Sequence, residues 1–310
     1  MAVVLLNLLL VILIMEFIVG NLSNGFIALV NCIAWIKRRK ISSVDQIITA
    51  LAISKFCLLW LLFFSKLLSM FNPALLSSKE ILTMMNIIWI VTCHFNTWLA
   101  TSLSIFYFLK IANFSNSAFL YLKWRVGKVI SVTLLLSLLF LIFNIAWTNM
   151  KLDFWNNGHK RNMTFFSPSF RESSHSFRIL VCMETLLLVI PFTMSLAAFF
   201  LLVFSLWRHL RKMQLSALGA RDASTQAHLK GLQTVVAYIT LCVVFFLSLL
   251  LLIWSSEWRE KHVTSMIFHI CGMVYPSGHS CILILGNQKL RQASLSVLCW
   301  LRSRFKDAVF

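Results

Sequence analysis

This 310-residue chain is short of acid and of charge: ten Asp and Glu stand against 28 Lys and Arg, and only 12% of residues are charged while 59% are hydrophobic. With a mean hydropathy of +0.84, the polar surface that a water-soluble domain of this length needs is missing, which excludes water as the main solvent. Other absences narrow the class. There is no HExxH, no GxSxG elbow, no glycine-rich phosphate loop after a strand and no paired carboxylates beside His94, His269 or His279, so no catalytic constellation is present and a non-enzyme without a cofactor is expected. There is no CxxC or Cys/His metal spacing, and the segment 149–179 holds no cysteine. An outer-loop disulfide is therefore not expected, and the eight cysteines read as buried small hydrophobes. Inverted internal repeats and charged residues recurring along one path, the marks of many transporters and channels, are absent too. A transporter or channel remains the alternative in another functional class, and another small seven-helix chemosensory receptor the alternative within the same architecture. The N-terminus has no basic start and no short signal core, so the first apolar run is expected to act as its own insertion signal.

What is present is a series of seven apolar stretches near 6–34, 46–70, 84–109, 129–148, 180–206, 233–255 and 263–286. A hydrocarbon core roughly 30 Å thick needs about 20 apolar residues of helix. These runs are far longer than barrel strands, and in lipid every backbone group must be satisfied within the element. The fold class is all-α: a single seven-transmembrane domain spanning 1–310, with an amphipathic tail at 288–304 lying on the inner membrane face. In that tail Leu290, Ala293, Val297, Leu298 and Leu301 gather near one side.

Basic residues set the orientation. The first, third and fifth connectors and the tail carry 18 of the Lys and Arg, whereas the opposite side carries nine. Positive residues stay cytoplasmic, so the N-terminus faces out and the C-terminus in. Nearly all of the formal +18 charge then lies at the inner face, where anionic lipid or an acidic cytoplasmic protein is the partner; no soluble basic module points to nucleic acid. Among three sequons, at Asn21, Asn113 and Asn162, only Asn162 falls in an outer loop, and N-glycosylation is expected there.

Ionisable and proline residues at membrane depth carry a cost and so a meaning. Glu16 and Lys55 are expected to contact Asn24, Asp45 or backbone carbonyls across helices, and Lys66 and Glu184, nearer the outer ends, to snorkel. Pro191 and Pro276 lie inside the fifth and seventh stretches, where each removes a helix hydrogen bond and kinks its helix.

Five pieces in order resemble the type 2 bitter taste receptors: Glu16 to Asn21 with Asn24 to Ile27; Leu51-Ala52-Ile53-Ser54; Phe106 to Ser115; Pro191-Phe192 with Ser195-Leu196; and His279-Ser280 with Leu283 to Asn287 and Lys289 to Ala293. The resemblance runs nearly end to end and is nearest to the broadly tuned members. It implies a plasma-membrane receptor that detects small bitter molecules at its outer side and couples to a gustducin-like heterotrimeric G protein of Gi type. A sterol or other lipid is a further partner class. Three departures from the family pattern stand out: Lys55 follows Ser54 in place of Arg, Cys93 replaces an Asn four residues after Trp89, and Cys242 replaces a Tyr.

Small ligands favour apolar concavities with few polar groups, formed between helices of a bundle. Counting inward from the outer ends, together with the resemblance, gives a candidate ligand site of Trp89, Cys93, His94, Met183, Leu187, Cys242, Phe246, Leu249, Met266 and His269. The spacings 89/93, 183/187 and 242/246 each keep a pair on one helical face. For G-protein coupling, Tyr107 and Lys110 resemble the family's inner-end motif, with Arg125 and Arg291 on the same basic face.

Overall fold

The computed structural model describes residues 2–38, 42–72, 79–161, 169–216, 236–237, 239–247 and 261–309, and no strand occurs among them. The helices are α1 (Ala2–Arg38), α2 (Ser43–Phe71), α3 (Lys79–Ile111), the short α4 (Ser117–Trp124), α5 (Val126–Arg161), α6 (Ser169–Ser216), α7 (239–247), α8 (Lys261–Gly286) and α9 (Gln288–Val309). Their starts are chemically marked. The Ser42 side chain, on an extended residue, accepts from Asp45 N at the head of α2, and Asn116 accepts from Ala118 N at the head of α4. Asn287 Oδ1 accepts from Lys289 N at 3.0 Å, restarting the chain as α9 after α8 ends. Each cap satisfies a backbone donor that the helix itself leaves unpaired.

Helix boundaries overrun the apolar runs. The segment 149–179, read as a loop, is helical up to Arg161 and again from Ser169, and the connector 207–232 is helical to Ser216. Apolar length is dictated by the bilayer, whereas the backbone ladder continues into water until a breaker intervenes. After Trp147 no proline occurs before Pro168, and the polar residues between them are compatible with helix. Residue Asn162 lies outside the described residues.

Four described helices hold segments long and apolar enough to cross a membrane: Val4–Lys37, Ser43–Leu68, Val126–Met150 and Leu186–Arg208. Helix α3 is less apolar because it is the central one, packed against α2, α5 and α6. There it buries Thr92, His94, Asn96, Thr101, Ser102 and Ser104. Peripheral helices show the reverse pattern. On α1, Val4, Leu8 and Val11 are exposed, as are Leu135, Leu139 and Ile142 on α5, a surface suited to acyl chains. The main core joins Ile48, Leu51, Leu103, Leu109, Leu202, Tyr275 and Leu290. A second cluster packs Leu13, Leu58, Leu59, Leu62, Cys93 and Met273.

Tight contact between α1, α2 and α8 depends on Gly20. A Cβ there would stand 2.5 Å from Ser277 Oγ and 2.6 Å from a Leu59 methyl, so the absent side chain is what lets the helices approach. One turn on, Asn24 Nδ2 donates to the Gly20 carbonyl at 2.8 Å and to that of Pro276 at 3.3 Å. Ser280 Oγ donates to Asn24 Oδ1 at 2.6 Å, and Lys55 Nζ reaches Ser280 Oγ at 3.4 Å while lying 5.9 Å from the centre of the Tyr275 ring. Lys55 is thus held by a hydroxyl and an aromatic face, one link away from Asn24. Asp45 pairs instead with Lys289 Nζ at 3.0 Å, and Lys289 also donates to Asn31 Oδ1 at 2.9 Å. Across the α1–α8 seam, Ser277 Oγ donates to the Glu16 carbonyl at 3.1 Å.

Two expectations are corrected. Lys66 does not snorkel: it is 4% exposed. Cys32, Cys57 and Cys299 are exposed on the outside of the bundle rather than buried in it, their helical positions facing away from the core. Lipid, not protein, is the apolar medium there.

Candidate functional site: two cavities against the central helix

One cavity lies between α3, α5 and α6. Trp89, Cys93, His94, Thr97 and Trp98 form its α3 wall, Phe140 and Asn144 its α5 wall, and Leu187 and Leu188 its α6 wall. Helical spacing makes these walls: 89, 93 and 97 recur every fourth residue of α3, as do 140 and 144 on α5. Trp98 and Phe140 stack with ring centres 5.8 Å apart, fixing the two helices at this depth. His94 Nε2 lies 3.3 Å from Ser137 Oγ, whose only proton goes to the Leu134 carbonyl at 2.7 Å. The imidazole must therefore donate through Nε2, which leaves Nδ1 as the bare nitrogen.

A second cavity sits deeper, between α3, α6, α7 and α8. Cys242, Phe245 and Phe246 of α7 and Tyr275 of α8 face Thr101 of α3 and Phe192 and Ser195 of α6 across it. Phe192 and Phe246 stack in parallel at 4.8 Å. The Thr101 and Ser195 hydroxyls are already committed: Thr101 Oγ1 donates to the Pro191 carbonyl at 2.9 Å. Ser104 gives its proton to the Ala100 carbonyl, so the 2.8 Å contact between Ser195 and Ser104 uses the Ser195 proton. The space is in effect apolar. Thr97 and Leu188 line both cavities and form the partition between them.

The ten candidate ligand residues are thus distributed. Trp89, Cys93, His94 and Leu187 line the α3–α5–α6 cavity, and Cys242 and Phe246 line the deeper one. Met266 is buried on α8 and His269, half-buried, meets Ser65 Oγ of α2 at 3.4 Å; neither borders these two cavities. The Met183 side chain and Leu249 lie outside the described part of the structure. Residues that sequence reasoning passed over are Thr97, Phe140, Asn144, Leu188 and Phe192. An Asn inside an apolar run was the available signal for Asn144, since burying an amide there carries a cost.

At the end of the bundle where α1 gives way to α2, Tyr107 packs partly buried against the main core, and Asp45 interacts electrostatically with it. Lys110 on the last turn of α3 is exposed. The Arg125 guanidinium lies 4.8 Å from the Tyr121 ring centre, and Arg291 is exposed on the first turn of α9. Lys123 Nζ donates to the Ala112 carbonyl at 2.9 Å, and Asn113 N to Ser205 Oγ at 3.0 Å. The first bond ties the α3–α4 turn to α4 and the second ties it to α6.

Residues 1–302 match the family described as taste receptor protein (TAS2R). The chain belongs to the taste receptor type 2 family. It is 54% identical over 296 residues to taste receptor type 2 member 14 of Gorilla gorilla gorilla, covering 96% of this chain and 92% of that one. Identity to the Homo sapiens member 14 is 53% with the same coverage. Identity to taste receptor type 2 member 125 of Rattus norvegicus is also 53%, covering 96% of this chain and 94% of that one. The receptor is therefore a seven-helix, multi-pass membrane protein that senses bitter tastants and signals through a G protein. Its central α3, its two cavities and its basic end can be read in those terms.

Proposed function

We propose that this receptor binds small bitter agonists within the half of the bundle that holds Trp89, and passes the signal to a gustducin-like, Gi-type G protein at the basic end. The observation that carries the reading is the pair of cavities flanking α3, lined by six of the ten candidate residues, Trp89, Cys93, His94, Leu187, Cys242 and Phe246. Rings, thiols and aliphatic side chains adapt to varied apolar shapes, which suits broad tuning. Met183, Leu249, Met266 and His269 are retained as further agonist contacts on the sequence reading.

Coupling is assigned to Tyr107, Lys110, Arg125 and Arg291, a basic surface that fits an acidic G-protein face. In this reading the N-terminus and Asn162 are extracellular, Asn162 is glycosylated, and α9 lies on the cytoplasmic leaflet. One domain spans the chain in the plasma membrane. The lipid-facing apolar surface also leaves room for a sterol as a bound partner. The test is a concentration-response panel with Trp89→Ala and Phe246→Ala at matched surface expression. Both variants are expected to lose potency for most agonists; unchanged potency in both would place the agonist site elsewhere.

A further inference from the structure

The two cavities differ in what they offer a ligand. In the deeper one, Thr101 and Ser195 each spend their hydroxyl proton within the protein. In the α3–α5–α6 cavity, Thr97 likewise donates to the Cys93 carbonyl at 2.9 Å and lies 3.1 Å from that of His94. There, however, Asn144 Oδ1 is a buried acceptor with no hydrogen-bond partner among the described residues. His94, donating through Nε2 to Ser137, keeps Nδ1 as a second acceptor. An acceptor left dry carries the full cost of its lost hydration, and a ligand proton that meets it recovers that cost. Ser137, Phe140 and Asn144 fall on one stripe of α5, at intervals of three and four residues; the first two touch α3 and Asn144 lines the cavity between the helices. The indole rings of Trp89 and Trp98 and the Phe140 ring supply flat apolar walls beside the acceptor. Among the described lining residues none is charged, so a neutral donor suits the cavity better than a cation or an anion.

We propose that the α3–α5–α6 cavity is a subsite for neutral hydroxylated aromatic molecules, with Asn144 Oδ1 accepting the hydrogen bond of the ligand's hydroxyl. The subsite rests on the agonist reading given above and deepens it: Asn144 determines specificity, while apolar parts of a larger agonist extend past Thr97 and Leu188 into the deeper cavity. The probes are 4-hydroxybiphenyl and 4-methoxybiphenyl, which share a ring system and differ in the donor. Thermal stabilisation of the purified full-length receptor is followed over a concentration series of each. The hydroxyl compound is expected to half-saturate at about tenfold lower concentration, the size of one well-made hydrogen bond to an otherwise unpaired group. In Asn144→Leu and in Asn144→Ala the two compounds are expected to coincide.

Equal affinity in the native receptor, an intact preference in either variant, or no stabilisation by the hydroxyl compound overturns the proposal. The native comparison decides even where a variant does not fold. Bitter-panel signalling by the native receptor separates the two levels. A receptor that answers the panel without a hydroxyl preference loses only the subsite, whereas one that answers nothing loses the wider reading.

Discussion

At the scale of single residues, a subset of the polar contacts inside the bundle joins one helix to another. Asn24 bridges α1 to α8 through Pro276 and Ser280, so Asn24→Ala leaves the carbonyl and hydroxyl without that partner. The expected destabilisation is about 1–2 kcal/mol, near the upper end for interhelical hydrogen bonds in membranes, and a thermal-stability scan of purified receptor measures it. Trp89 offers stacking area worth about 0.5–1.5 kcal/mol beyond its burial. Trp89→Ala is therefore expected to weaken aromatic agonists severalfold in concentration-response curves, while His269→Ala reorders agonists according to their polar groups. A uniform fall for both in step with lost surface expression would make them packing residues. Legibility differed between these positions for a physical reason. Trp89, Cys93 and His94 on α3 and Leu187 on α6 were found by counting inward from the outer ends, with four-residue spacing keeping partners on one helical face. Asn144 was not, because α5 is apolar almost all round and its sequence carries no moment to say which stripe faces α3.

At the scale of elements, close helix approach and basic ends make separable predictions. Gly20→Val places two methyls where Ser277 Oγ and Leu59 already stand. It is expected to force α1 away from α2 and α8 and to cut surface expression sharply, measured by flow cytometry. Normal expression would show that the seam can relax. Lys110→Ala, on an exposed last turn, is expected to depress G-protein activation while leaving agonist binding and expression within about twofold, since an exposed charge contributes little to stability. Undiminished signalling would assign Lys110 to membrane topology alone. Helix boundaries were the part of the elements that the sequence concealed. The apolar runs report bilayer thickness, so they said nothing about α5 continuing to Arg161 or α6 starting at Ser169. Ser42 and Asn116, by contrast, are readable caps that the structure uses.

At the scale of the whole molecule, an acid-poor chain with seven apolar runs and an uneven spread of Lys and Arg already specified a helical bundle in lipid, and family membership agrees with it. The two separate cavities beside α3 were not legible, because they depend on which side chains of α3, α5, α6 and α7 meet across the bundle. Orientation has its own test: Asn162→Gln is expected to abolish the mobility shift produced by enzymatic deglycosylation, and a shift that persists would contradict glycosylation at that sequon. The central claim, that this bundle converts a small bitter molecule into G-protein activation, is tested most directly by G-protein-dependent calcium release in cells expressing the chain and exposed to a panel of bitter compounds. Concentration-dependent release that requires both the receptor and its G protein is the predicted result. Silence across the panel at verified surface expression would contradict the account.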